Sequence, residues 1–343
     1  MKILLLSHNF YPFVGGIETI SESLANSFVE QGIEVKVVTW TLDPSKKVFP
    51  FKVFRNPGAS LLLKLHFWAD LIFENNPSLR LSWPALFTRR PSVIAIHTWI
   101  VNTSGKKGIP ERLKFLWLRK ANKVIAASNA LRQEMWPKAT VIKNFYRQDL
   151  FRLLPEVACS RDFVFFGRLV SDKGADMAIN AIFRLKTLKL NDNRLKLEPN
   201  LTIIGDGEER EYLENLVESL KLQENVRFVG TLRGEDLVKE LNRHAFMLIP
   251  SRWEEPFGIV ALEGIACGCI PIGSAGGGLA EAIGGAGMVF RKGDLDDLVS
   301  CILELTSNAQ TENNCRSKGI LHLLSHHSQF VAQQYLDLLR TAV

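Results

Sequence analysis

Phe246-Met247-Leu248-Ile249-Pro250-Ser251-Arg252-Trp253-Glu254-Glu255-Pro256-Phe257-Gly258-Ile259-Val260-Ala261-Leu262-Glu263 reads as a strand, a loop and the opening turns of a helix. The run Phe246–Ile249 is continuously apolar rather than alternating, which describes a strand covered on both faces and hence a parallel sheet. Gly258 opens the helix, and at about 1.5 Å rise per residue Glu263 falls little more than one turn inside it while Glu255 stays on the loop. Both carboxylates therefore reach one elongated ligand, and carboxylate oxygens suit one rich in hydroxyls. Acids that complement the helix dipole account for Glu255 in part and for Glu263 poorly.

The same rhythm of buried strand and amphipathic helix fills the chain. Ile3–Leu6, Val35–Trp40, Val93–His97, Val124–Ala127 and Val141–Ile142 are strand runs in the first half. Phe163–Phe166, Leu201–Ile204, Val226–Val229, Ile270–Ile272 and Met288–Phe290 join Phe246–Ile249 in the second. The fold class is α/β, with two Rossmann-like, doubly wound parallel sheets. A chain of 343 residues is long enough for two cores. The segment from Asn144 to Arg161 carries Pro155 and mixed charge without a strand run, so the boundary is expected near Ala158. The expected domains are residues 1–158 and 159–328, followed by a terminal helical segment, 329–343.

Composition narrows the class further. Hydrophobic residues make up 46% and charged residues 23%, which leaves no room for a long disordered tract. Five cysteines, without paired C-x-x-C spacing, read as reduced thiols. The apolar run after Met1 is too short for a signal-peptide core, so a cytoplasmic location is expected. Residues 1–158 hold 22 Lys and Arg against 11 Asp and Glu, a net +11, and the remainder is net −5. That asymmetry points to an anionic partner of the first half, a membrane surface or a phosphate-bearing acceptor rather than nucleic acid.

Further polar and glycine residues stand in loops after strands. Phe10-Tyr11-Pro12-Phe13-Val14-Gly15-Gly16-Ile17-Glu18 joins the first strand to a helix, and paired glycines there let free N–H groups face a phosphate or simply make the turn. Gly167-Arg168 and Lys173-Gly174 leave the first strand of the second half with two cations five residues apart, suited to a leaving diphosphate. Asp294-Leu295-Asp296-Asp297 reads as a helix cap and His322 with His326 as a surface helix, so no metal is expected.

Together these residues resemble the retaining nucleotide-sugar glycosyltransferases of family 4, which have the GT-B fold of two domains facing across a cleft. The marks are Gly15-Gly16, Gly167-Arg168, Lys173-Gly174, Ile204-Gly205-Asp206-Gly207, and Glu255 of Glu-Pro-Phe-Gly with Glu263 eight residues beyond it. The resemblance implies that Gly16, Arg168 and Lys173 hold the diphosphate, that Glu255 contacts the donor sugar, and that Glu263 contacts the ribose. It implies backbone amides from Phe257, Gly258 and Ile259, a histidine near the transferred sugar at His97, and base contacts at Gly230, Thr231 and Leu232. It also implies that the terminal helix packs back on the first domain.

The function expected is transfer of a hexose, with retention, from a nucleotide diphosphate sugar such as UDP-glucose to a glycan or lipid-linked acceptor in polysaccharide synthesis. No nucleophile for double displacement stands in the motifs, so a front-face reaction assisted by Arg168 and Lys173 is expected, without metal or other cofactor. An epimerase or hydrolase of the same fold, or a non-catalytic sugar-nucleotide binding protein, would share the donor site. The basic stretch Pro110–Lys123, with Leu113, Phe115, Leu116 and Trp117, suits either the inner face of an anionic membrane or a helix whose apolar side is core. Leu61–Phe73 is open to the same two readings.

Overall fold

The computed structural model describes residues 1–13, 15–45, 47–102, 105, 108–192 and 198–343, with 191–192 by backbone alone. The chain forms two units, Met1–Phe145 with Ser328–Val343, and Tyr146–His327.

The first unit holds a seven-stranded sheet built from β1 (Lys2–Leu6), β2 (Glu34–Thr39), β3 (Lys52–Arg55), β4 (Leu71–Asn75), β5 (Ser92–Ile96), β6 (Lys123–Ala126) and β7 (Thr140–Val141). The strand order is β3-β2-β1-β4-β5-β6-β7, and every neighbouring pair is parallel. Ile3, Leu4, Leu5 and Leu6 are all fully buried. Each such side chain contributes about 1.5–3 kcal/mol on transfer from water.

Sequence reading misses β3 and β4. The apolar run Leu61–Phe73 is a helix, Ala59–Trp68, followed by the start of β4, the neighbour of β1. The break lies at Ala69-Asp70, where Ala69 turns extended and the Asp70 carboxylate accepts the Lys2 amide at 2.8 Å. Uniform hydrophobicity hides that break, since a buried helix and a buried strand share it. Trp117 of the basic helix Ile109–Leu118 donates Nε1–H to buried Glu74, and Phe115 packs on the core, whereas Leu113 and Leu116 are exposed.

The second unit holds β8 (Ser160–Phe166), β9 (Leu201–Ile204), β10 (Val226–Gly230), β11 (His244–Ile249), β12 (Ile270–Ala275) and β13 (Met288–Arg291). Their order is β10-β9-β8-β11-β12-β13, again all parallel. The division between units falls earlier than the boundary expected near Ala158. Tyr146, Phe151 and Leu154 join the core around Val164, Met247 and Leu262, and the Leu154 amide donates to Asn242 Oδ1 at 2.7 Å. Anchors at irregular spacing leave no periodic trace in sequence. Helix Ser328–Arg340 belongs to the first unit and packs on helix Gly16–Glu30, with the Tyr335 ring 5.7 Å from that of Phe73.

Candidate active site

In each sheet the strand order reverses once beside the first strand of its unit: between β1 and β4, and between β8 and β11. Open parallel sheets bind ligands beyond the carboxyl ends of the strands at such a switch point.

In the second unit the loops after β8 and β11 meet there. Gly174 has φ of 71°, and a Cβ on it would lie 2.1 Å from Pro250 O, so only glycine allows this approach. The amides of Arg252 and Trp253 donate to Asp172 O at 2.8 and 3.1 Å. The Arg252 guanidinium grips Asp176 with bonds of 2.8 and 2.6 Å and also reaches Ser171 O. This clamp sets Lys173 Nζ 2.6 Å from Glu255 Oε1, and Ser251 Oγ donates to the same oxygen at 2.6 Å. Lys173 and Glu255 are 24% and 12% exposed, so the pair is shielded yet reachable.

Arg168 projects from the same loop, exposed and without an ion-pair partner among the described residues. Beside it the Gly167 amide donates to Ile204 O and the Gly205 amide to Gly230 O, so the ends of β8, β9 and β10 are tied edge to edge. Gly205, at φ of 142°, would place a Cβ 1.8 Å from Gly167 O. Thr231 is exposed just beyond, and Leu232 is half-buried against the core. Phe257 is buried as a core side chain, Gly258 caps helix Ile259–Ala266 in a left-handed conformation, and the amides of residues 257–259 have no acceptor among the described residues.

Glu263 sits in the second turn of that helix, where burial pushes its carboxyl up to about 7 against the opposing field of Arg147. No hydrogen bond or ion pair joins Glu263 to Glu255, Lys173 or Arg168 among the described residues. Ser251, the Arg252–Asp176 clamp and Arg147 are the residues that sequence reading misses. The first two stand inside or beside the quoted motifs; Arg147 lies in the irregular segment that carries no signal.

Gly15, Gly16 and His97 lie in the first unit; Val14 is outside the described residues. Gly15 is the extended N-cap of helix Gly16–Glu30, with no side-chain cap. A buried chain of bonds, Ser7 Oγ to Ser21 Oγ at 2.7 Å and Asn75 Nδ2 to Ser21 Oγ at 2.6 Å, pins that helix start to the ends of β1 and β4. His97 follows β5, its ring Nδ1 is 3.2 Å from Asn144 Oδ1, and its amide donates to Asn76 Oδ1. Burial lowers its imidazole to about 4, partly offset by Asn144. The ring is therefore neutral at pH 7, with Nδ1–H donating and Nε2 a lone pair that has no partner among the described residues.

Asp294 caps helix Leu295–Ser307 by accepting the Asp297 amide, and His322 Nε2 bonds Ala282 O. Among the described residues no group of three or more His, Cys, Asp or Glu is placed to hold a metal, and no helix is long and apolar enough to cross a membrane.

A family model for glycosyl transferases group 1 matches residues 151–322, and one for glycosyltransferase family 4 matches residues 14–145. An uncharacterized glycosyltransferase of Methanocaldococcus jannaschii is 26% identical over 93% of this chain and 92% of its own length. The N-acetyl-alpha-D-glucosaminyl L-malate synthase of Bacillus anthracis is 23% identical, covering 96% of both chains. Among solved structures, HepE of Anabaena, in complex with UDP and glucose, superposes with a TM-score of 0.80 over 99% of this chain and 100% of its own, at 21% identity. Sucrose-phosphate synthase of Thermosynechococcus elongatus does so with 0.78, at 19% identity, over 99% and 98%. The two parallel α/β units and these likenesses make the fold GT-B.

Proposed function

Because the chain belongs to the group 1 glycosyl transferases, we propose that it moves a hexose, with retention, from a nucleotide diphosphate sugar to a hydroxyl of a glycan or lipid-linked acceptor. The observation that carries this reading is the Lys173–Glu255–Ser251 cluster at the second unit's switch point, with unpaired Arg168 on the same loop. Lys173 and Arg168 neutralise charge that develops on the diphosphate as the sugar bond breaks. Glu255 accepts sugar hydroxyls, Glu263 a ribose hydroxyl, and the free amides of residues 257–259 complete the cradle. In the first unit, the lone pair of His97 Nε2 suits a ligand hydroxyl. The leaving phosphate oxygen takes the proton of the incoming acceptor, so the reaction runs on one face without a metal.

UDP-glucose is the donor we favour, on the strength of the UDP and glucose held by the structural neighbour from Anabaena. The first unit works against an anionic inner leaflet through exposed Leu113 and Leu116 and the basic residues around them, a reading that its net charge supports. The test is a thermal-shift panel of UDP- and GDP-sugars followed by transfer assays. Stabilisation by UDP-glucose alone is expected; donor breakdown at full rate without any acceptor would favour an epimerase or hydrolase instead.

A further inference from the structure

The first unit has a cavity of about 400 Å³ at its own switch point, a volume suited to a small molecule. Its wall includes His8 and Asn9 after β1, Glu18 at the start of helix Gly16–Glu30, Asn76 and Arg80 after β4, and Lys114 of helix Ile109–Leu118. Arg80 and Lys114 have no carboxylate partner among the described residues, and Glu18 is paired with neither. Arg80 is held in place by the Trp40 ring, with its guanidinium carbon 5.1 Å from the ring centre. Two cations thus share one concave site with a single carboxylate and a helix N-terminus whose dipole adds to the positive field. Desolvation, followed by the charges of Arg80 and Lys114, holds the His8 imidazole below its ordinary value, so His8 reports the field. Asn75, also in the wall, leaves a buried Oδ1 without a donor among the described residues, and a ligand hydroxyl would supply one.

We propose that this cavity takes the acceptor, and that the acceptor is a polyhydroxyl compound carrying an oxyanion, a phosphate ester or a carboxylate, bound by Arg80 and Lys114. The inference rests on the transferase reading above and names the substrate class. Solvated surface cations would be scattered over convex ground; these two converge on the crevice where an α/β sheet binds its ligand.

The test uses the full chain labelled with ¹³C-histidine and follows the His8 ring resonance by NMR. Glycerol 3-phosphate is the probe, glycerol the neutral control, and dihexanoylphosphatidylglycerol below its micelle concentration the lipid-borne form of the same group. Glycerol 3-phosphate is expected to shift His8 saturably, glycerol not, and each of Arg80→Gln and Lys114→Gln to weaken binding about tenfold. Response to the soluble ester alone assigns a free acceptor; response to both assigns recognition of the headgroup class. Lys173→Ala should leave the response intact, and so should saturating UDP. A silent His8, an equal response to glycerol, or displacement by UDP overturns the proposal, the last by making the anion the donor's own diphosphate. Stabilisation by UDP and by GDP, measured on the same samples, separates the outcomes: if either nucleotide stabilises the chain while His8 is silent, only the acceptor inference fails, and if neither does, the transferase reading fails with it.

Discussion

Lys173 Nζ lies 2.6 Å from Glu255 Oε1, although the two residues come from loops 82 positions apart in sequence. Each holds the other in place. On the proposed reading a sugar diphosphate divides this pair, with phosphate taking the ammonium and hydroxyls taking the carboxylate.

Removal of either member should therefore abolish most transfer. Lys173→Ala is expected to lower kcat by about 10²–10³-fold, the cost of losing one stabiliser of developing negative charge. Glu255→Ala should cost a similar factor, with the thermal unfolding midpoint of both variants within a few degrees of the parent. Unchanged turnover by folded Lys173→Ala would remove it from the chemistry.

Arg252 acts one step back, as a positioning residue. It is 42% exposed, and its bond to Asp176 adds under about 1 kcal/mol to stability. Its effect is expected in kcat: Arg252→Ala should slow turnover about tenfold with little change in KM, and Arg252→Lys should restore part of it. A matching loss of stability instead of rate would make the clamp structural only.

Glu74 should impose a pH dependence on stability. Burial raises its carboxyl from 4.5 to about 7, despite bonds from Trp117 and the Ser78 amide. Near pH 4 both the folded and the unfolded chain hold the proton, and no penalty arises. As pH rises from the ordinary carboxylate range to about 7, the unfolded chain releases it first, so the folded state loses stability and then stays at the lower level. Glu74→Gln is expected to gain about 1–2 kcal/mol at pH 8 and nothing near pH 4, measured by urea unfolding at both values.

The membrane reading turns on two leucines. Leu113 and Leu116 are 48% and 52% exposed on a basic helix. The chain should float with vesicles containing anionic lipid and stay behind with neutral ones, and Leu113→Ser with Leu116→Ser should reduce flotation several-fold. Equal partition into both vesicle types would end this reading.

All six strands of the second unit were legible in the sequence, and so were the loops in which its candidate site residues stand. Continuous apolar runs mark strands buried on both faces; Gly167, Arg168 and Gly205 follow such runs at once, and Lys173 and Glu255 stand further along the same loops. Tertiary structure decided three things. It split Leu61–Phe73 into a helix and β4, because hydrophobicity alone does not distinguish a buried helix from a buried strand. It assigned residues 146–158 to the second unit, since Tyr146, Phe151 and Leu154 anchor that segment without periodicity. It brought Ser251, Arg252 and Asp176 around the Lys173–Glu255 pair, and Arg80 and Lys114 around one cavity. Those are meetings of side chains distant along the chain, created by strand order, and no local pattern in the sequence records them.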